Sequence, residues 1–283
     1  MIEKISGLVS VIMPSYNTGK FIAESIASVV AQTYTDWELI IVDDASTDNT
    51  DEVVQRVILS GAQAKSKDLP SSRIRYLKND RNHGAAYSRN RALREAKGKW
   101  IAFLDSDDLW APDKLEKQIA FMQKNGYAFS YTCYSEMDEK DEKTGVVVGG
   151  PAHITKTGMY NYCWPGCLTV MYDREVVGDI QIADIRKNND YAMWLKICRK
   201  ADCYLLDENL ARYRKRTGSI THACHPERSE AKSKDLSRHL SLIKWHYKLY
   251  REAEGMNPVV SLFNTGRNLF FGVWKKIKYV GRG

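Results

Sequence analysis

Two hydrophobic spacings alternate along the first part of the chain. Short apolar runs at residues 8–13, 37–42, 74–77 and 100–104 are bounded by Pro, Asn, Asp or Gly. All four predict strands, and the run at 100–104, apolar throughout, predicts one buried in a parallel sheet. Between them, apolar residues recur at helical spacing. Phe21, Ile22, Ile26, Val29 and Val30 predict a helix over 19–32 with Thr18 as its cap. A second helix is expected from Asp48 or Thr50 to about residue 59. A third is expected over 85–97, stopped by Gly98 in the C-cap position. Residues 60–72 are polar and read as a surface loop. The alternation strand, helix, strand, helix, strand, helix, strand predicts a parallel sheet with right-handed crossovers.

Beyond residue 110 the pattern changes. A helix over 113–125 is closed by Gly126. Strands are expected at 127–134, 146–148, 166–172, 204–206 and 211–213, with one helix over 191–200. From about Pro226 helix formers dominate, and Leu236, Leu240, Ile243, Tyr247 and Tyr250 share one face. Residues 258–279 are rich in Leu, Phe and Trp but broken by Asn264, Gly266, Arg267 and Gly272, so they do not form a clean span. Phe263, Phe270, Phe271 and Trp274 beside Lys275, Lys276 and Lys278 fit an interfacial helix on an anionic membrane surface. A helix packed back on the domain or across a dimer is the alternative. The organisation read from this is residues 1–110 as a nucleotide-binding half, 111–225 as a second half of the same domain, and 226–283 as a C-terminal amphipathic helical region.

Charge alters the picture little in sum. With 42 basic and 35 acidic residues the formal charge is +7, unlike a dedicated nucleic-acid binder. Its placement matters more, because Arg267, Lys275, Lys276, Lys278 and Arg282 stand in a tail without acids. Cysteines 133, 163, 167, 198, 203 and 224 form no Cys-x-x-Cys pair, and residues 1–7 lack the apolar core of a signal peptide. Reduced thiols and a cytoplasmic protein, peripheral on the inner face of the membrane, are expected. His222, Cys224 and His225 have no second half with zinc-ligand spacing.

Acids cluster where strands are expected to end. Asp43 and Asp44 follow the second run; Asp105, Asp107 and Asp108 follow the fourth. That edge is where open α/β sheets bind ligands. Acids at i and i+2 converge on one hard cation, and Mn²⁺ or Mg²⁺ suits all-oxygen ligands. A solvated acidic turn capping the next helix is the plain alternative. No Gly-x-Gly-x-x-Gly follows the first run and no Walker-type Gly-Lys-Ser/Thr is present, which argues against dinucleotide redox enzymes and phosphate-loop NTPases.

Four blocks together resemble a known family. They are Val-Ser-Val-Ile-Met-Pro-Ser-Tyr-Asn at 9–17, the Val-Asp-Asp-Ala-Ser-Thr-Asp core of 40–50, Asn-His-Gly and Arg-Asn-Arg-Ala within 82–92, and the stretch 103–110. In this order they are similar to the signature blocks of inverting family-2 glycosyltransferases. The segments 166–175, 185–186 and 190–191 are further similar to small bacterial enzymes of the teichuronic-acid, capsule and lipopolysaccharide type. The resemblance implies a GT-A-type, Rossmann-like mixed α/β sheet flanked by helices, with a C-terminal helical extension. It implies a nucleotide-sugar donor, a UDP-sugar through Asp43, and a lipid-linked or growing glycan acceptor, with residues 1–110 as the nucleotide-sugar-binding half and 111–225 as the acceptor-binding half of one domain. Pro14, Tyr16, Asp43, Asp44, Gly84, Asp105 and Ser106 would bind the nucleotide. Asp105 and Asp107 would hold Mn²⁺ or Mg²⁺, while Asp108 caps the next helix. Asp190 would be the base, although Asn189 stands where the family often has Glu or Gln. Arg186, Arg212 and Arg214 are phosphate or acceptor candidates, residues 218–221 look like the closing loop, and His83 reads as fixing backbone rather than metal. A nucleotidyltransferase and a catalytically degenerate scaffold are the rivals.

Overall fold

The computed structural model describes residues 5–63, 71–185, 187–216 and 233–282. Four parallel strands set its frame. They are β1 (Val9–Ser15), β2 (Trp37–Asp43), β3 (Ile74–Lys78) and β4 (Trp100–Phe103), side by side as β3-β2-β1-β4. Helices α1 (Ile22–Val30), α2 (Thr50–Gln63) and α3 (Ala85–Glu95) connect them. Successive strand residues enter opposite cores: Ile12, Ile40, Val42, Ile101 and Phe103 on one side, Val11, Met13, Leu39, Ile41 and Ala102 on the other. Both faces of β1, β2 and β4 are covered, which is why these runs are mostly apolar instead of alternating, Ser10 and Glu38 being the buried polar exceptions. Because the four strands are parallel, Ser15, Asp43 and the residues after Phe103 meet at one edge.

The rest of the sheet is mixed. It is built from β5 (Leu109–Trp110), β6 (Phe129–Met137), β7 (Lys143–Val148), β8 (His153–Ile154), β9 (Met171–Asp173), β10 (Cys203–Arg214) and β11 (Val280–Arg282). β9 lies antiparallel between β4 and β6, and β10 runs parallel to β6 and antiparallel to β5 and β8. Its helices are α4 (Lys114–Asn125), α5 (Lys156–Asn161), α6 (Arg174–Val177) and α7 (Asn189–Cys198). α1 and α4 cover one face; α3 and α7 cover the other. The result is a Rossmann-like mixed α/β fold with a C-terminal helical extension of α8 (Ser233–Lys248), a π-type turn (Leu249–Ala253) and α9 (Pro258–Lys278).

Several local expectations change. The strand expected at 166–172 is a tight turn at Cys167–Thr169 followed by the short β9. The two strands expected at 204–206 and 211–213 are one strand, β10, with register shifts between Leu206 and Ala211. Gly98 is no left-handed cap, since α3 already ends at Ala96. A Cβ at Gly98 would stand 2.5 Å from Ser10 N and 2.7 Å from Leu8 O, so glycine there permits close approach to β1. Thr18 is not the side-chain cap of α1, and its hydroxyl lies instead 2.8 Å from Ser15 Oγ. The extension is docked: Arg267 donates to Thr157 O at 2.9 Å, Lys275 donates to Trp164 O at 2.7 Å, and β11 adds an antiparallel edge to β7.

Candidate functional site

The edge formed by the carboxyl ends of β1, β2 and β4 gathers most of the expected residues. Pro14 is buried within β1, and Tyr16 just past it is 44% exposed. Asn17 takes a positive φ of 51°, which brings its N–H to 2.9 Å from Ser46 Oγ. Asp43 is buried and accepts hydrogen bonds from Ser46 N and Ser46 Oγ. Asp44 is buried and fully engaged, accepting from Asn79 Nδ2 at 2.6 Å, His83 N at 3.0 Å and Gly84 N at 2.6 Å. Gly84 has φ +92° and ψ 163°, a backbone open to glycine, and from there it opens α3. Asp44 and Gly84 thus shape the loop beside the site. His83 lies in that loop, stacked on Tyr87 at 4.2 Å and paired with Asp80 at 2.7 Å.

The turn after β4 carries Asp105, Ser106, Asp107 and Asp108. Ser106 is buried. Asp105 meets Arg89 Nη2 at 2.5 Å, and Asp107 Oδ2 meets Arg216 Nε at 2.6 Å. Burial pushes the Asp107 carboxyl above the usual range, with Arg216 pulling it back and Asp105 adding to the rise. Asp108 is raised further by burial and by its two acidic neighbours. It does not cap a helix, because its Oδ1 accepts from Arg214 N at 2.9 Å.

Arg89 joins this turn to α7. Its Nη1 donates to Asn189 Oδ1 at 3.0 Å while its Nη2 holds Asp105. Burial opposes its charge, but Asp105 foremost, with Asp190 beside it, outweighs that. Asp190 lies in the first turn of α7, with one oxygen accepting from Tyr191 N at 2.8 Å. Burial raises its pKa, Arg89 opposes the rise, and Asp105 adds to it. A carboxylate made more basic by desolvation is suited to taking a proton.

The arginines separate. Arg214 is buried and spent within the protein: Nε donates to Asp107 O at 2.8 Å, Nη2 to Glu24 at 2.9 Å, and Nη1 to Asp141. Arg212 is exposed and lines a groove with Glu24, Ser28, Trp110 and Asp141. Arg186, residues 218–221, and the His222, Cys224 and His225 group lie outside the described residues. Sequence reasoning missed Arg89 and Arg216. Arg89 had a signal, as a charge on the stripe Ala86, Arg89, Ala92, Leu93 that α3 buries. Arg216 had none, because its place beside Asp107 depends on β10 reaching back across the sheet.

Among the described residues no three His, Cys, Asp or Glu side chains are gathered as a metal cluster. The donor chemistry nonetheless fits a hard cation bound with its substrate. Asp105 and Asp107 supply carboxylate oxygens two positions apart, each facing a guanidinium instead of a packed apolar neighbour.

Comparison with known proteins agrees with this geometry. The profile of "Glycosyl transferase family 2" matches residues 10–183. The chain is 38% identical over 241 residues to an Escherichia coli protein, the UDP-Glc:alpha-D-GlcNAc-diphosphoundecaprenol beta-1,3-glucosyltransferase WfaP, covering 84% of this chain and 86% of that one. Among solved structures, S. aureus TarS 1-349 in complex with UDP-GlcNAc superposes with a TM-score of 0.63 at 21% identity, over 95% of this chain and 76% of that one. The mannosyltransferase PcManGT from Pyrobaculum calidifontis, in complex with GDP-Man and Mn²⁺, superposes at 0.58 with 18% identity, over 94% and 75%. At these identities the two structural likenesses speak for the fold alone. The family profile and the bacterial relative carry more, and by them the chain belongs to glycosyl transferase family 2.

Proposed function

We propose that the protein is an inverting glycosyltransferase that moves a sugar from a UDP-sugar to a lipid-linked or growing cell-surface glycan. The observation that carries this reading is the bridge made by Arg89. It sets a carboxylate of raised pKa, Asp190, beside the acidic end of β4. One relative's name supports the substrate class, giving a UDP-sugar as donor and a sugar diphosphate on a polyprenol as acceptor.

In this reading Tyr16 and Asp43 flank the base, with Pro14 shaping the strand end and Asp44, Gly84 and Ser106 fixing the surrounding loops. Asp105 and Asp107 would hold Mn²⁺ or Mg²⁺. A bound divalent cation there would offset the charge building on the leaving nucleoside diphosphate. Arg216 then exchanges its carboxylate partner for phosphate oxygens, as guanidinium chemistry allows. Arg186 and Arg212 remain phosphate or acceptor candidates. Arg214 serves by fixing the backbone of the acidic turn. Asp190 accepts the proton of the acceptor hydroxyl as that oxygen attacks the anomeric carbon from the face opposite the leaving group, which inverts the configuration. The place of work is the inner face of the membrane, with an anionic surface as partner of the C-terminal helix.

Calorimetry with UDP and GDP, each with and without Mn²⁺, tests the donor half. UDP binding that requires Mn²⁺ and disappears in Asp107→Ala is the expected result. A preference for GDP would overturn the role given to Asp43. No binding of either nucleotide with metal present would overturn the transferase reading.

A further inference from the structure

Helix α9 is turned inside out. A helix on a globular domain ordinarily buries an apolar stripe and shows polar residues to water. In α9 the buried residues are Ser261, Asn264, Thr265, Asn268 and Lys275. At 3.6 residues per turn they fall within about 100° of arc. Leu262, Phe263, Phe270, Val273, Trp274 and Ile277 fall within about 120° on the opposite side, and all are exposed, with Phe263 at 68% and Ile277 at 76%.

The inner face is polar and largely hydrogen-bonded, Asn268 Oδ1 being the one buried side-chain atom of it left without a partner among the described residues. Ser261 Oγ donates to Asn257 O at 2.9 Å, Asn264 Nδ2 to Val260 O at 3.0 Å, and Thr265 Oγ1 to Ser261 O at 2.8 Å. Lys275 reaches Trp164 O. Docking to the domain takes in Phe271, against Trp164, but leaves most of the helix's apolar side chains uncovered. A continuous exposed apolar stripe along a whole helix marks an interaction surface.

The flanks say what covers it. Lys276 and Lys278 stand at the two borders of the stripe, both exposed, and residues 258–283 contain no acid. Lys278 Nζ lies 5.8 Å from the Trp274 ring and 5.4 Å from the Tyr279 ring. Apolar residues in the centre, with aromatics and lysines at the border, match the layering of an anionic bilayer surface. The other side of the same helix touches the base-bearing helix, since Asn268 Nδ2 donates to Tyr191 Oη at 3.0 Å and Tyr191 follows Asp190.

We infer that the outer face of α9 lies flat in the surface of an anionic bilayer, while its inner polar face carries the Asp190 helix at that surface. This deepens the proposed function, resting on it for the lipid-linked acceptor, and names the face and residues that meet lipid.

The test is co-sedimentation of the full chain with vesicles containing phosphatidylglycerol and with vesicles of phosphatidylcholine alone. The wild type should pellet with the first and do so less at high salt. The exposed-face variant Phe263→Ser/Phe270→Ser/Trp274→Ser should lose this binding, and Lys276→Glu/Lys278→Glu should weaken it at least about tenfold. UDP binding should persist in both variants. A wild type that stays in the supernatant, or a triple variant that still pellets, overturns the inference. So does sedimentation equilibrium showing a dimer that the triple variant dissolves, because a second copy would then own the face. UDP binding without vesicle binding sinks this inference alone; vesicle binding without nucleotide binding sinks the transferase reading alone.

Discussion

Two parallel strands end in clustered acids, and the two ends are held by different partners. At the end of β2, Asp43 and Asp44 accept hydrogen bonds from neutral donors: Ser46 for the first, and Asn79, His83 and Gly84 for the second. At the end of β4, Asp105 and Asp107 face Arg89 and Arg216, and the carboxyls of Asp107 and Asp108 are raised by burial. Carboxylates bound to backbone and amide donors hold loops in shape. Carboxylates paired with guanidinium groups can change partners when a cation or a phosphate arrives. Equal-looking acid clusters thus differ in what their neighbours allow them to release.

The comparison is broken most severely at the β4 side of the site. Asp190→Asn removes the group assigned to take the proton, so turnover should fall by about a hundred- to ten-thousandfold. UDP affinity by calorimetry should stay near wild type. Turnover left unchanged would remove Asp190 from the role of base.

At the β2 end the expected loss is of stability. Asp44→Ala strands donors from Asn79, His83 and Gly84, and urea unfolding should report a loss of about 3 kcal/mol. Asp107→Ala should lose far less stability in the metal-free protein, since it removes a desolvated carboxyl. Equal losses at the two ends would erase the distinction drawn between them.

A finer test sits at Arg89. Its positive charge holds the Asp190 carboxyl lower than burial alone would. Arg89→Gln should therefore move the acid limb of the turnover profile to higher pH. Arg89→Lys, which keeps the charge, should move it less.

The smallest effect concerns stability against pH. Asp107 and Asp108 are raised in the folded chain, so the stability they contribute is full below the ordinary aspartate value of about 3.9 and is lost as pH rises through their folded values. Unfolding of the metal-free protein should show a gentler decline above that pH in Asp107→Asn than in wild type. Below it the two curves should converge.

Much of this was legible beforehand for definite reasons. Residues 9–15, 37–43 and 100–103 read as buried strands because both their faces are covered, leaving no polar alternation to confuse with a surface element. The acids after them were legible as clusters at strand ends, which fit a site or a capped turn alike, and Asp44 proves to hold a loop. Short pieces such as β5, β8 and β11 were not legible, since each is defined by its partner strand more than by its own residues. Phe271 was grouped with the membrane-facing aromatics, yet it turns toward Trp164 with ring centroids 6.2 Å apart.

By itself the sequence determined the strand and helix alternation and the acidic strand ends, because these depend on local periodicity and on residue type; Asp190 as candidate base rested on the family resemblance. Only the tertiary structure decided that Arg89 spans from Asp105 to Asn189, that Arg214 is locked inside while Arg216 reaches Asp107, and that α9 shows its apolar side to solvent. Each of these is a contact between segments far apart in the chain. A helical wheel displays two faces of α9 with equal clarity; which one the domain takes is set by the hydrogen-bond partners waiting there, Tyr191 and the Trp164 carbonyl.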